Sequence, residues 1–249
     1  MHKLNVINNQ MTQHTMATAA QTKISVSVLS TLFYDWSYQL EDCFIKRDAF
    51  IENLIRVELP HISADLAGKR NSGAAKDFIG RSLRRLGGAK SLPMRVRSFK
   101  VSKSVADDLR EVEKDHNIVR DALFNRWIVL MRARPGLLNA LDLPHSVPWN
   151  SDDFIAQPLG PLPAMLELVS DPLGPMRAEC RRLHGCGLYE MWMPHQLVGL
   201  SVFMEDTLVP GTTEFRDMWE GPDNRLEALD LAAQFTDSLE PTKQPHRQE

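Results

Sequence analysis

RVRSFKVSKSVADDLREVEKDHNIVRDALFNRWIVLMR, residues 95–132, decides how the rest of the chain is read. Phe99 and Val101 alternate with Ser98, Lys100 and Ser102, the period-two pattern of a strand with one apolar face. Val105, Leu109 and Val112 then recur on one side of a helix. After a turn at Asp115, His116 and Asn117, a second helix carries Leu123, Trp127, Ile128 and Met131 at three- and four-residue spacing. The stretch therefore predicts strand, helix, turn, helix.

The same order occurs earlier in the chain. Ile24, Val26 and Val28 alternate with Lys23, Ser25, Ser27 and Leu29, a second candidate strand. Thr31 or Asp35 opens a helix bearing Leu32, Trp36, Leu40 and Cys43, and a further helix begins at Arg47 with Phe50, Ile51, Leu54, Ile55 and Leu59 in register. RDAFIENLIRV beside RDALFNRWIVL is an internal repeat. Arg47 and Arg120 are 73 positions apart. That one offset, without a gap, also sets Val26 on Phe99, Val28 on Val101, Trp36 on Leu109, Ile45 on Ile118, Asp48 on Asp121 and Leu54 on Trp127. Gln39 falls on Val112 and Leu40 on Glu113, which predicts a displacement of about one residue between the first helices of the two copies, given their 3.6-residue period.

Between the copies, Phe78, Ile79, Leu83 and Leu86 mark an amphipathic helix ended by Gly87-Gly88. Its other positions include Lys76, Arg81, Arg84 and Arg85. Residues 1–22 read as a disordered arm, low in charge and without periodicity. Pro135-Gly136 closes the second copy, and Leu137 to Leu143 add a short helical turn. Beyond lies a proline-rich acidic region. PLGPLPAMLELV and DPLGPMRAECRRL each predict a proline-initiated helix. GLYEMWMP (187–194) and VGLSVFME (198–205) predict a β-hairpin through His195 and Gln196. Leu226 to Leu239 predict a last helix before a frayed tail.

The chain has 249 residues, 43% of them hydrophobic, and a formal net charge of -3. That balance conceals an asymmetry: residues 1–135 hold 22 Lys+Arg against 14 Asp+Glu, and residues 136–249 hold 7 against 18. A basic half points to a polyanionic partner; neutralisation between the two halves is the competing reading. Three cysteines, Cys43, Cys180 and Cys186, do not make a disulfide framework and suggest a reducing compartment. No apolar run or leader pattern predicts a membrane span or export, so a cytoplasmic protein is expected. Cys180, His184, Cys186 and His195 are metal-competent residue types, but they lack a C-x2-C pair, and no metal or other cofactor is expected. P-loop, GxGxxG, GxSxG and HExxH motifs are absent, which argues against a familiar ATPase or hydrolase; no enzymatic activity is expected.

The repeated strand-helix-helix resembles the ribbon-helix-helix superfamily of Arc- and MetJ-type repressors, over roughly residues 23–59 and 95–132. The resemblance implies an α+β, mainly helical fold in which two units pair their strands into one antiparallel ribbon. Here one chain supplies both units as a tandem pseudo-dimer. The expected organisation is a disordered arm (1–22), unit 1 (23–59), a basic helical connector (60–94), unit 2 (95–144), a smaller α+β acidic C-terminal domain with the hairpin (145–240) and a tail (241–249).

The implied function is sequence-specific binding of double-stranded DNA, as a bacterial transcriptional repressor whose ribbon enters the major groove. Alternate strand residues face opposite ways. With the valines and Phe99 covering the helices, Lys23, Ser25, Ser27, Ser98, Lys100 and Ser102 face outward as base-reading candidates. Arg95 and Arg97 share parity with the apolar set and are expected to hold phosphates at the ribbon end, as are Arg81, Arg84 and Arg85 on the connector helix. Family members also hold a phosphate at the N-terminus of the second helix. That site falls here at Lys46-Arg47 and Val119-Arg120, with Lys46 and Val119 where the family often has serine and with Asp48 and Asp121 just inside the helix. Because the two strands differ, one pseudo-dimer is expected to prefer an asymmetric subsite, and palindromic recognition would need a homodimer through the C-terminal half. The competing function is an assembly protein whose C-terminal half binds a protein partner, as an antitoxin does.

Overall fold

The computed structural model describes residues 20–88, 92–132, 169–191 and 193–219. It is α+β and mainly helical, with one two-stranded antiparallel sheet. β1 (Gln21–Leu29) leads directly into α1 (Ser30–Asp42) and α2 (Arg47–Asp65). After α3 (Gly73–Leu86), β2 (Met94–Ser102) leads into α4 (Lys103–His116) and α5 (Arg120–Arg132). Both strands span nine residues, and each element of the second set begins 73 positions after its counterpart. The one-residue displacement expected of the first helices is absent: Ser30 and Lys103 open them at the common offset. Their C-terminal turns also correspond: the Ile45 N–H donates to the Leu40 carbonyl as the Ile118 N–H does to that of Glu113, and Phe44 and Asn117 both have positive φ, although α1 ends at Asp42 and α4 at His116.

Three boundaries differ from expectation. Gln21 and Thr22 belong to β1, where Thr22 pairs with Val101; the rest of the expected arm, residues 1–19, lies outside the described residues. α2 continues through Pro60 to Asp65. Proline removes one i to i−4 hydrogen bond, but Ile62 and Leu66 are both fully buried and hold the last turn against the core. The segment 187–205 is not a hairpin. In place of a first strand, the Glu190 and Met191 N–H groups turn back on the Gly187 carbonyl, and a 3-10 turn at His195–Leu200 packs on α3. Gly199 lies so close to α3 that a Cβ there would stand 2.4 Å from the Leu83 nitrogen. Leu197, Val198, Leu200, Val202 and Met204 are thus buried by a compact turn and the chain after it instead of by a ladder.

The helices cross between the two copies. α2 packs on β2 and α4, whereas α5 packs on β1 and α1. Each second helix therefore covers the strand of the other copy, and neither copy closes its core alone. Ile24, Val26, Val28, Phe99 and Val101 form the inner face of the sheet over Phe33, Trp36, Leu54, Leu123, Phe124 and Trp127. Phe33 lies 6.1 Å from Phe99, which stacks 6.0 Å from Phe124. At about 25 cal/mol per Å² of buried apolar area, this shared layer is the main source of cohesion.

The C-terminal segment joins the same core. α6 (Gly174–His184) has Pro175 in its first turn, as the sequence predicts, and α7 spans Thr213–Trp219. Buried Arg177 of α6 pairs with fully buried Glu58 of α2 and chelates Asp171 at 2.6 and 2.7 Å. Tyr189 donates its hydroxyl to Glu58 and accepts from Trp127 Nε1 at 2.8 Å. Burial pushes Glu58 above the usual carboxylate range although Tyr189 and Arg177 pull it down. Fully buried Arg126 donates to the carbonyls of Leu188, Leu200 and Met191, and burial lowers its pKa to about 10. The expected helices at 137–143, 158–169 and 226–239 and the frayed tail lie mostly or wholly outside the described residues. No described helix is long and apolar enough to cross a membrane.

Candidate nucleic-acid interface

The outer face of the sheet is polar and uncovered. The register sets Lys23 opposite Lys100, Ser25 opposite Ser98 and Ser27 opposite Val96. Ser25 and Ser98 share a hydrogen bond, Oγ to Oγ, of 2.9 Å. They are also 73 positions apart, so the same residue of each copy meets its counterpart and a local pseudo-two-fold axis passes between them. Lys23, Ser25, Ser98 and Lys100 are exposed, and Ser27 is half-buried. Val96 is 67% exposed, an apolar side chain on an otherwise hydrophilic surface. Two lysines set directly opposite repel each other, and no carboxylate of the described residues forms an ion pair with either.

A two-stranded sheet leaves both outer edges unpaired, and the first turns of α2 and α5 cap them. Asp48 accepts the Lys100 N–H at 3.1 Å, and Asp121 accepts the Ser27 N–H at 3.1 Å. Four residues on, Asn125 accepts the Leu29 N–H and donates to the Ser27 carbonyl, both at 2.8 Å. Its counterpart Glu52 bonds the N–H and hydroxyl of Ser102; burial raises its pKa, but Arg56 and Ser102 hold it below the ordinary value. The aspartates that the sequence sets near a phosphate site are thus edge caps. They fix the N-termini of α2 and α5 beside the outward residues.

Other predicted residues divide by their partners. Lys46 is exposed at the start of α2, and Arg95 is exposed on β2. Arg81, Arg84 and Arg85 are exposed on α3, which packs against the 3-10 turn and α5; its end at Gly87 adjoins Met94 of β2. Arg47 bonds Asp48 at 3.1 Å and lies over the rings of Phe33 and Phe99. Arg120 is clamped by both oxygens of Glu113 at 2.6 Å, which raises its pKa. Arg97 is half-buried, stacks 4.8 Å from the Tyr34 ring centroid and donates to the Tyr34 hydroxyl. Ser102 corrects the outward expectation: it is 7% exposed because it precedes α4, where its hydroxyl meets Arg56 at 3.4 Å and Ser104 at 3.3 Å.

No family model, curated protein or solved structure matches this chain.

Glu52, Asn125 and Tyr34 escape a reading by alternation alone, whereas the exposure of Val96 follows from its parity with Ser98 and Lys100. The signal for the first two lies in the repeat: RDAFIE and RDALFN both place a polar residue four positions after the aspartate, on the same helix face. Among the described residues, no three His, Cys, Asp or Glu side chains converge as a possible metal set.

Proposed function

We propose that this chain is a sequence-specific double-stranded DNA-binding protein, a single-chain ribbon-helix-helix pseudo-dimer acting as a transcriptional repressor. The observation that carries the reading is the Ser25–Ser98 pair: equivalent residues of an internal repeat meet at the centre of an antiparallel ribbon with a polar, lysine-bearing outer face. A two-stranded ribbon fits a major groove about 12 Å wide, where lysine donates to guanine and serine reaches several base edges. The mutual repulsion of Lys23 and Lys100 is relieved when a polyanion lies across them. Lys46 at the start of α2 and Arg95 on β2 are the phosphate contacts, with Arg81, Arg84 and Arg85 supplying a longer-range basic field.

The test is selection of bound duplexes from a random library by the full chain. An enriched motif, weakened in its sequence preference by Lys100→Ala and weakened on all sequences by Lys46→Ala, supports the reading. Lys46→Ala should also flatten the salt dependence by about 0.9 in log–log slope for the one phosphate lost. Recovery of no motif refutes sequence-specific recognition.

A further inference from the structure

We infer that the ribbon reads its DNA subsite with a fixed polarity: a guanine-bearing half under Lys23 and Lys100, and a thymine-bearing half whose 5-methyl group packs on Val96. The inference rests on the DNA-binding reading above and assigns the base class to each half.

The pseudo-two-fold axis at Ser25–Ser98 divides the outer face into two halves that the repeat makes equivalent in backbone. They are not equivalent in chemistry. Lys23 corresponds to Val96, Lys100 to Ser27 and Lys46 to Val119 under the common offset of 73. All three lysines therefore fall in one half, because Asp48 seats the start of α2 at Lys100 while Asp121 seats the start of α5 at Ser27. In the other half Arg120 of α5 is chelated by Glu113, and the exposed strand cation there, Arg95 opposite Val28, has the inward parity and serves as a phosphate contact instead of a base contact.

Each half has its own recognition chemistry. Lysine donates to the O6 and N7 of guanine, while an apolar side chain in the major groove meets the thymine methyl. Val96 is 67% exposed, so the contact needs no rearrangement of the core. The Lys23–Lys100 and Ser27–Val96 pairs each lie two residues from the centre, about 7 Å along the strand, and so are separated by roughly four base-pair steps of 3.4 Å. One chain lies on its subsite in one direction only.

The test scans the selected duplex by replacing each thymine in turn with deoxyuracil, which removes the methyl group and keeps the pairing. Wild-type protein should lose about fourfold in affinity at one position, the worth of one buried methyl. Val96→Ala should bind thymine and deoxyuracil duplexes equally there, with an unchanged melting temperature. Lys23→Ala should relax guanine preference on the opposite side of the subsite centre. The polarity is overturned if no thymine is sensitive, if Val96→Ala keeps the sensitivity, or if both variants alter the same side. In those cases the enriched duplex still stands, and DNA binding with it; enrichment of no duplex removes both.

Discussion

Lys23→Glu should move stability and DNA binding in opposite directions. Lys23 faces Lys100 directly across the ribbon, and both side chains are exposed. Directly opposed side chains have Cβ atoms about 5 Å apart, and such pairs are worth roughly 0.2–1 kcal/mol, unfavourable for like charges and favourable for opposite ones. The substitution removes a repulsion and adds an attraction, so with solvent screening the net gain is about 0.5–1 kcal/mol, or roughly 2 °C in melting temperature for a chain of this size. No acid of the described residues lies opposite the new carboxylate; its cross-strand partner is Lys100. The gain should shrink at about 1 M salt, where the screening length is only about 3 Å. On the selected duplex, the same change costs at least one base contact, about 1–3 kcal/mol and therefore about fivefold or more in affinity. Urea unfolding at two salt concentrations, paired with duplex titration, measures both signs. A variant that is destabilised at low salt, or that binds as wild type does, refutes the claim that this lysine pair is kept for an anion at the expense of stability.

Three other substitutions examine the frame. Asn125→Ala orphans the Leu29 N–H and the Ser27 carbonyl at a buried site and should cost about 2–5 kcal/mol; urea unfolding should show the loss and hydrogen exchange should show the Leu29 amide losing protection, whereas a cost under about 1 kcal/mol would be inconsistent with edge capping. Phe44 has φ 58° and is 96% exposed, at the position equivalent to Asn117 with φ 54°. Phe44→Asn should stabilise by about 1 kcal/mol by easing a left-handed backbone without losing burial, and thermal unfolding gives the sign. Glu58 is raised above 4.5 by burial, so the folded state binds its proton more tightly and the contribution of Glu58 to stability falls as pH rises from the ordinary value through the raised one. Relative to wild type, Glu58→Gln should therefore fare progressively better from about pH 4.5 upward; a difference in unfolding free energy that does not change with pH argues against it.

Local periodicity in the sequence determined the two strands, the helices after them, the connector helix ended by Gly87-Gly88 and the 73-residue repeat. Those features depend on residues within a few positions of one another, where alternation and 3.6-residue spacing report directly on burial. The outward placement of Lys23, Ser25, Ser98 and Lys100 was legible for the same reason. The tertiary structure decided what depends on distant partners. Asp48 and Asp121 read as charges awkwardly near a phosphate site until the opposing strand supplied its N–H groups. Ser102 kept the right parity but lost its exposure to the start of α4, and Arg120 was spoken for by Glu113. The stretch 187–205 alternates well enough for a hairpin, yet α3 offers it a surface that a compact turn buries better, with Gly199 against the Leu83 backbone. The centre at Ser25–Ser98 needed both sources: the repeat named the equivalent residues, and only the strand register brought them face to face.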